Sequence, residues 1–248
     1  MKFAGVEVAR IGLGTNRLTN VGFIRAAVEA GVQVIDTAHL YTGGQSEEAI
    51  GAALSPMPET VVVATKGGIN SGSPAAIRSE IEESLRRLRV KSIALYYLHR
   101  VDPNVPLETS LAAIKEYVDS GVIANVGVSQ VTVEQIERAR KVVPIAAVQQ
   151  QYSVSERKHD AEVDYCTREG IPFVPFYPLR GASGRGLEEI ARRNGATTRQ
   201  VALAWLLRRS PVMLPIPGTL SIAHLKENLA ASDIELSEAD LAELEGGT

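Results

Sequence analysis

Four residues in the first hundred carry side chains able to do chemistry at a regular spacing: Asp36, Tyr41, Lys66 and His99. Three of them close short apolar runs. Asp36 ends Gln33-Val34-Ile35-Asp36, Lys66 follows Val61–Ala64, and His99 follows Ile93–Leu98. The steps between them are 30 and 33 residues, and Tyr41 lies five residues past Asp36. A lysine beside an apolar rim sheds its proton more easily, because desolvation disfavours its charge, and a carboxylate such as Asp36 opposes that loss. A charged Lys66 next to Tyr41 would stabilise the phenolate and make the phenol a better acid. Free tyrosine titrates at about 10, so at neutral pH it already holds a proton to give. His99 can hydrogen-bond a carbonyl oxygen and orient it. Proton donation to such an oxygen calls for a nucleophile at the carbon. None of the four residues supplies one, and a hydride from a bound cofactor would complete the reaction. Each residue taken singly has a plainer reading, as an Asp-Thr turn after a strand or a structural Lys or His.

A repeating strand and helix pattern has to position these residues. Strand-like runs occur at Ile11–Leu13, Val32–Ile35, Val61–Ala64, Ile93–Leu98, Val122–Val128, Ile145–Val148, Ile171–Phe176 and Val212–Ile216. They are nearly continuous in Val, Ile and Leu, which suits strands covered on both faces. Helical signals lie between them. Ser73-Pro74 offers an N-cap and first-turn proline, and Ile77, Ile81, Leu85 and Leu88 follow at helical spacing. The charged residues among them, Arg78, Glu82, Glu83, Arg86 and Arg87, read as a solvated face. Gly31, Gly121 and Gly170 fall where helices should stop. Strand and helix alternation implies right-handed βαβ units. Eight units of roughly 30 residues fit an α/β fold of the (β/α)8 TIM-barrel kind, at about 250 residues, better than a doubly wound sheet with a second domain. No Pro/Gly/Ser linker or charge block marks a boundary, so residues 1–248 read as a single domain. Val6–Val8 could pair with Lys2–Ala4 as a short N-terminal hairpin capping the barrel's bottom. Chemistry in such barrels sits at the C-terminal strand ends, and neighbouring strands are about 4.8 Å apart, so Asp36, Lys66 and His99 would meet at one mouth.

Composition narrows the function classes. The 248 residues carry 26 Lys and Arg against 29 Asp and Glu, a net charge of −3, without the basic stripe that nucleic-acid binding needs. A single cysteine, Cys166, can form no internal disulfide or cysteine-rich metal site, which fits a reducing compartment. The N-terminus, with Glu7 and Arg10, does not read as a signal peptide, and no uncharged apolar run of about 18 residues occurs. A cytoplasmic protein is expected, with no membrane or obligate protein partner. His39 and His159 lack metal-ligand spacing, so no metal is expected. Trp205 reads as helix-to-barrel packing and Cys166 as a half-buried helix residue, while Arg100 and Tyr177 line either the substrate site or a rim.

At the chemistry-bearing residues the chain resembles the aldo-keto reductase family. Gly31-Val32-Gln33-Val34-Ile35-Asp36-Thr37-Ala38-His39-Leu40-Tyr41 is similar to the family's signature around its catalytic Asp and Tyr, and Thr65-Lys66-Gly67-Gly68 and Tyr97-Leu98-His99 resemble the segments holding its Lys and His. Similar segments run from Gly12 to Asn228. The resemblance implies Tyr41 as general acid, Lys66 and Asp36 as the pair tuning it, and His99 as carbonyl-orienting donor. It implies NADPH bound across the barrel mouth without a Rossmann domain. In agreement, Gly12-Leu13-Gly14-Thr15-Asn16-Arg17 lacks the third glycine of a dinucleotide fingerprint, and the glycines of Gly181–Gly186 are wrongly spaced for one. By resemblance Gly14, Thr15, Asn16 and Asp36 lie beside the cofactor, and Ser129, Gln130 and Gln149 hydrogen-bond its carboxamide. Phe176 stacks on the nicotinamide, and backbone near Leu179 and Gly181 approaches the pyrophosphate. The loop Ile216-Pro217-Gly218-Thr219-Leu220-Ser221 feeds a helix N-terminus with Ser221 as a cap, a natural anion site. The resemblance puts the 2′-phosphate there, near His224, with Glu227 and Asn228 by the adenine; an ordinary capped surface helix is the alternative.

The chain also departs from the family pattern. Gly218 and His224 stand where many members have Lys and Arg for the 2′-phosphate, so NADPH is expected with NADH possible. Gln130 replaces a common Asn and Phe176 a common Tyr. Short loops after Pro178 and before the first long helix, and an end at Thr248, suggest an open pocket of broad, modest activity. Three classes remain open: a carbonyl reductase turning small aldehydes or ketones into alcohols, a Schiff-base lyase through Lys66, and a cofactor-binding regulatory module.

Overall fold

The computed structural model describes residues 1–246. Lys2–Phe3 (β1) and Val6–Glu7 (β2) pair antiparallel across a turn in which Ala4 and Gly5 both take positive φ, the geometry of a tight two-residue hairpin. A seven-stranded parallel sheet follows: Leu13–Gly14 (β3), Val34–Asp36 (β4), Val62–Gly67 (β5), Leu95–Leu98 (β6), Val126–Ser129 (β7), Ile145–Gln151 (β8) and Phe173–Phe176 (β9), hydrogen-bonded in chain order. The helices are Val21–Glu29 (α1), Gln45–Leu54 (α2), Pro74–Leu88 (α3), Leu107–Asp119 (α4), Val133–Arg140 (α5), Asp160–Glu169 (α6), Arg185–Arg193 (α7), Thr198–Arg209 (α8), Ile222–Leu229 (α9) and Glu238–Gly246 (α10). No helix among the described residues is long and apolar enough to cross a membrane.

The eighth barrel position departs from the sequence expectation. Val212–Ile216 is not a regular strand, although its backbone closes the ring. Phe173 donates to Val212 O (2.9 Å) and Leu214 to Phe173 O (2.9 Å) on one side, while Gly12 donates to Pro215 O (2.9 Å) and Gly14 to Pro217 O (3.3 Å) on the other. Pro211, Pro215 and Pro217 have no N–H to give, so only isolated bridges form, Phe173 to Met213 and Gly14 to Gly218. The barrel is thus seven ladder-forming strands closed by a proline-rich eighth segment.

Helix boundaries follow local chemistry. Ser73 caps α3 through its side chain, with Pro74 in the first turn, and the Thr132 and Thr197 capping boxes start α5 and α8. Gly31, Gly121 and Gly170 take left-handed φ just beyond α1, α4 and α6. Trp205 on α8 is 2% exposed and stacks on Tyr152 at 6.0 Å, as a packing residue should. Cys166 is fully buried rather than half-buried, and burial pushes its thiol up to about 12, so it is chemically inert.

Strand pleating sets the polar mouth. Val34, Val62, Ala64, Leu95, Tyr97, Ala147, Val174, Leu214 and Ile216 form one buried cluster with Phe3 and Val8 from the hairpin end. Outward alternates such as Ile35, Val63, Tyr96 and Val148 pack against the helices. Moving two residues along from the inward apolar positions reaches Asp36, Lys66, His99, Gln149 and Phe176, and β3 and β7 add Gly14 and Ser129 at the same level. Each fully buried aliphatic side chain below this level contributes about 1.5–3 kcal/mol to the barrel that holds them.

Gly14 is where the closing segment presses hardest, since a Cβ there would lie 2.7 Å from the carbonyl oxygen of Ile216. Gly14→Ala should therefore lower the thermal midpoint by about 2–10 °C. An unchanged midpoint in a differential scan would show that residues 216–218 do not pack against β3.

Candidate active site

The four residues singled out by spacing converge. Lys66 is fully buried; its Nζ donates to Asp36 Oδ1 at 2.5 Å, to the Thr37 carbonyl at 2.6 Å and to the Tyr41 hydroxyl at 3.4 Å. Asp36 Oδ2 accepts from Gln149 Nε2 at 2.8 Å, which ties β4 to β8 across the mouth. The Tyr41 and His99 rings meet edge to face at 6.0 Å, and Lys66 Nζ lies 4.9 Å from the Tyr41 ring centre. Tyr41 reaches the mouth on a compact turn, Tyr41–Gly44, in which Thr42, Gly43 and Gly44 all have positive φ. Left-handed backbone at a β-branched threonine is strained, and strain of this kind collects at functional sites.

Electrostatics sort the roles these groups can take. Burial pulls the Lys66 ammonium down, but Asp36 and Tyr41 outweigh it, so Lys66 sits above its ordinary value and stays charged. Burial pushes the Asp36 carboxyl up, with Lys66 and Gln149 pulling against it. Burial likewise raises Tyr41, and Lys66 offsets this only in part. Lys66 does act to make Tyr41 a stronger acid, as expected, but burial is the larger effect, and the phenol is firmly protonated at neutral pH. His99 is lowered to about 3, by burial first and then by the charges of Lys66 and Arg100. It is a neutral imidazole with one N–H to donate, and its Nδ1 is buried without a partner.

The residues assigned by resemblance to a cofactor lie on the strand ends, on the segments after β3, β7 and β9, and on the closing segment and α9. Ser129 is buried with an unpartnered Oγ, and Gln130 follows it with left-handed φ, its Nε2 donating to the His99 carbonyl at 3.3 Å. Phe176 packs edge to face on Tyr177, which is 57% exposed. Leu179 and Gly181 line a cavity of about 510 Å³ with Ala182, Ser183, Thr197, Thr198 and Arg199. Thr197 Oγ1 and Arg199 Nε donate to Glu227 Oε1 at 2.7 and 3.3 Å, joining that cavity's wall to α9. Beside Glu227, Asn228 is buried with Oδ1 unpartnered. Ser221 caps α9, accepting from the His224 N–H at 3.4 Å, and its own N–H donates to Thr219 Oγ1. Pro217 and Gly218 lie against Gly14, while Asn16 and His224 are exposed.

Two of these residues are otherwise engaged. The Thr15 hydroxyl is buried, donating to the Asp36 carbonyl at 2.9 Å and accepting from Ser46, so Thr15 offers the mouth only its backbone. The Gln149 amide nitrogen is committed to Asp36. Sequence reasoning missed the Thr37 carbonyl, which no side-chain pattern could signal, and the Thr197–Arg199 wall. It also placed Arg87 on a solvated face. Arg78 and Glu83 do reach solvent, Arg78 pairing with Glu116 and Glu83 with His39 at 2.7 Å, but Arg87 is only 13% exposed. Arg87 lies three residues after buried Ser84, on the flank of the helix's buried stripe, and that spacing was the available signal. Among the described residues no His, Cys, Asp and Glu group could hold a metal ion.

Keeping His99 neutral has a measurable sign. The unfolded chain takes up this proton at its ordinary 6.5 and the native protein only at about 3. The corresponding stability is full above pH 6.5 and is lost as pH falls towards 3, at up to about 1.4 kcal/mol per unit. Between pH 6.5 and 5 the protein should lose about 1–2 kcal/mol more in urea unfolding than His99→Gln does. Equal losses would contradict the burial of a neutral ring.

Comparison with known proteins agrees with the geometry. The model of the Aldo/keto reductase family matches residues 10–246. Pyridoxine 4-dehydrogenase of Escherichia coli is 36% identical over 99% of this chain and 92% of its own length. A thermostable aldo-keto reductase solved with the inhibitor epalrestat superposes with a TM-score of 0.91 at 31% identity, covering 99% of this chain and 98% of that one. An aldo-keto reductase from Klebsiella pneumoniae in complex with NADPH gives 0.88 at 31% identity, over 96% and 90% of the two chains. With a parallel barrel, an N-terminal hairpin and an Asp, Tyr, Lys and His group gathered at its mouth, the chain belongs to the aldo/keto reductase family of oxidoreductases.

Proposed function

We propose that the chain, acting as one domain over residues 1–248, reduces small aldehydes and ketones to alcohols with NADPH in the cytoplasm, with Tyr41 as the proton donor. The carrying observation is the fully buried Lys66, held by Asp36 and reaching the Tyr41 hydroxyl at 3.4 Å. When bound, NADPH supplies the hydride for the carbonyl carbon. The carbonyl oxygen then becomes an alkoxide far more basic than a phenol, so even a phenol raised by burial gives up its proton to it. The lysine charge stabilises the phenolate left behind. Neutral His99 donates one hydrogen bond to the carbonyl oxygen and sets its direction, and its failure to charge keeps a second cation out of the site. Lys66 stays protonated, which a Schiff-base nucleophile cannot be, so the lyase reading loses its support.

The residues at the mouth fit the cofactor. Among the buried polar atoms of the described residues that lack partners in the protein are Ser129 Oγ and Asn228 Oδ1, and these suit a carboxamide and an adenine amino group. Gly14, Asn16, Gln130 and Phe176 would flank the nicotinamide end, Leu179 and Gly181 the pyrophosphate, and Pro217, Gly218, Thr219, Ser221 and His224 the ribose phosphate. The capped N-terminus of α9 favours an anion there. With no lysine or arginine at Gly218 and His224, NADH is a second, weaker cofactor in this reading. Exposed Tyr177 and Arg100 at the rim support an open, broadly accepting pocket.

Tyr41→Phe should lower kcat at least ~10²-fold while NADPH binding survives. Turnover at the original rate, followed by NADPH absorbance with 4-nitrobenzaldehyde, small aliphatic aldehydes and pyridoxal, would remove Tyr41 from the mechanism. Ser129→Ala should raise the NADPH dissociation constant by about 2- to 10-fold in a fluorescence titration, without shifting the thermal midpoint. An unaltered constant would mean that Ser129 does not touch the cofactor.

A further inference from the structure

The turn that carries Tyr41 is gripped from behind by one side chain. Arg87 on α3 donates through Nη1 to the His39 carbonyl at 2.9 Å and to Glu47 Oε2 at 3.5 Å, and through Nη2 to Glu83 Oε2 at 2.8 Å. Its guanidinium also lies flat against Gly44, where a Cβ would come within 2.4 Å of Arg87 Cζ and where φ is +92°. Contact is therefore made two residues before Tyr41 and three residues after it. Glu47 is fully buried, and its other oxygen accepts from Thr65 Oγ1 at 2.6 Å. Thr65 is the β5 residue immediately before Lys66. The His39 ring completes the cluster, bonding Glu83 at 2.7 Å, and Glu80 accepts from the Gly68 N–H at 2.6 Å.

We propose that Arg87 is a positioning residue that sets the distance between the Tyr41 hydroxyl and Lys66. The guanidinium links the two supports of that distance, the 39–44 turn on one side and, through Glu47 and Thr65, the Lys66 strand on the other. The turn needs such a clamp, because Thr42 holds left-handed backbone that a free loop would relax. A planar guanidinium holds its donors in a rigid fork and presents a broad face to Gly44, whereas an ammonium is a compact point charge on a flexible stem. The Lys66 to Tyr41 separation of 3.4 Å is already at the long end of a hydrogen bond, so a small outward drift of the turn breaks it. Arg87 acts only through Tyr41 and touches neither cofactor nor carbonyl.

This inference rests on Tyr41 being the proton donor. Arg87→Lys keeps a cation beside buried Glu47, so folding is retained, but it loses the fork; Arg87→Met removes both. The expected result is a fall in kcat of about 10- to 100-fold for Arg87→Lys, larger for Arg87→Met, with the NADPH dissociation constant unchanged within twofold. Added to Tyr41→Phe, Arg87→Lys should lower kcat no further, because a residue that acts through the phenol has nothing left to position. If Arg87→Met does not fold, Arg87→Lys and the double variant carry the test alone. Wild-type kcat in Arg87→Lys, a loss expressed in NADPH binding instead, or the same fold loss on top of Tyr41→Phe would each overturn the proposal. Full activity in Tyr41→Phe alone would overturn the mechanism beneath it, and the two failures are thereby distinguished.

Discussion

A lysine with no exposed surface is unfavourable unless its charge is met, and meeting the charge of Lys66 constrains most of the barrel. Asp36 from β4, the Thr37 carbonyl and the Tyr41 hydroxyl surround Lys66 Nζ, and Gln149 from β8 holds the far oxygen of Asp36. Three strands and one loop must therefore arrive in register at the same depth. Removing one partner of such a buried pair typically costs about 3–5 kcal/mol, since the other charge is left alone. A one-residue slip of β5 would turn Lys66 out into the helical layer and bring Thr65 into the mouth.

The pleat turns that constraint into a site. Below the ion pair the inward positions are apolar and packed, from Phe3 of the hairpin up to Tyr97. Above it the same faces carry Gly14, Asp36, Lys66, His99, Ser129, Gln149 and Phe176. The low dielectric below strengthens the ion pair, and the mouth above gives substrate access to the phenol. Burial shapes the three titrating side chains differently: it leaves the lysine charged only because a carboxylate answers it, keeps the phenol protonated, and keeps the imidazole neutral. The α2 and α3 layer then holds the Tyr41 turn in place through Arg87 and Glu47.

Much of this is legible in the sequence, for physical reasons. Asp36, Lys66 and His99 fall at strand ends because buried parallel strands read as unbroken apolar runs, and a polar residue that ends such a run stands out. The helix signals at Ser73-Pro74 and Ser221 are local and survive folding unchanged. The failures come from prolines inside a strand-like run and from partners distant in sequence. Val212–Ile216 has strand composition, yet its prolines deny it a ladder, so it closes the ring by isolated bridges. Thr15 and Gln149 are committed to neighbours that no spacing reveals. Arg87 sits in a charged helical run, and only the turn packed on that helix makes it buried. The direction of the Tyr41 shift also escaped, because a neighbouring charge is visible in a sequence while the depth of burial is not.

The protonation states at the mouth are the centre of this mechanism, and the pH dependence of kcat/KM for aldehyde reduction reads them directly. A charged Lys66, a protonated Tyr41 and a neutral His99 predict a flat profile from about pH 5.5 to 9, with a single fall on the alkaline side beyond the ordinary tyrosine value of about 10. A limb titrating between pH 6 and 8 that vanishes in His99→Gln would show a charged imidazole as the donor and contradict it.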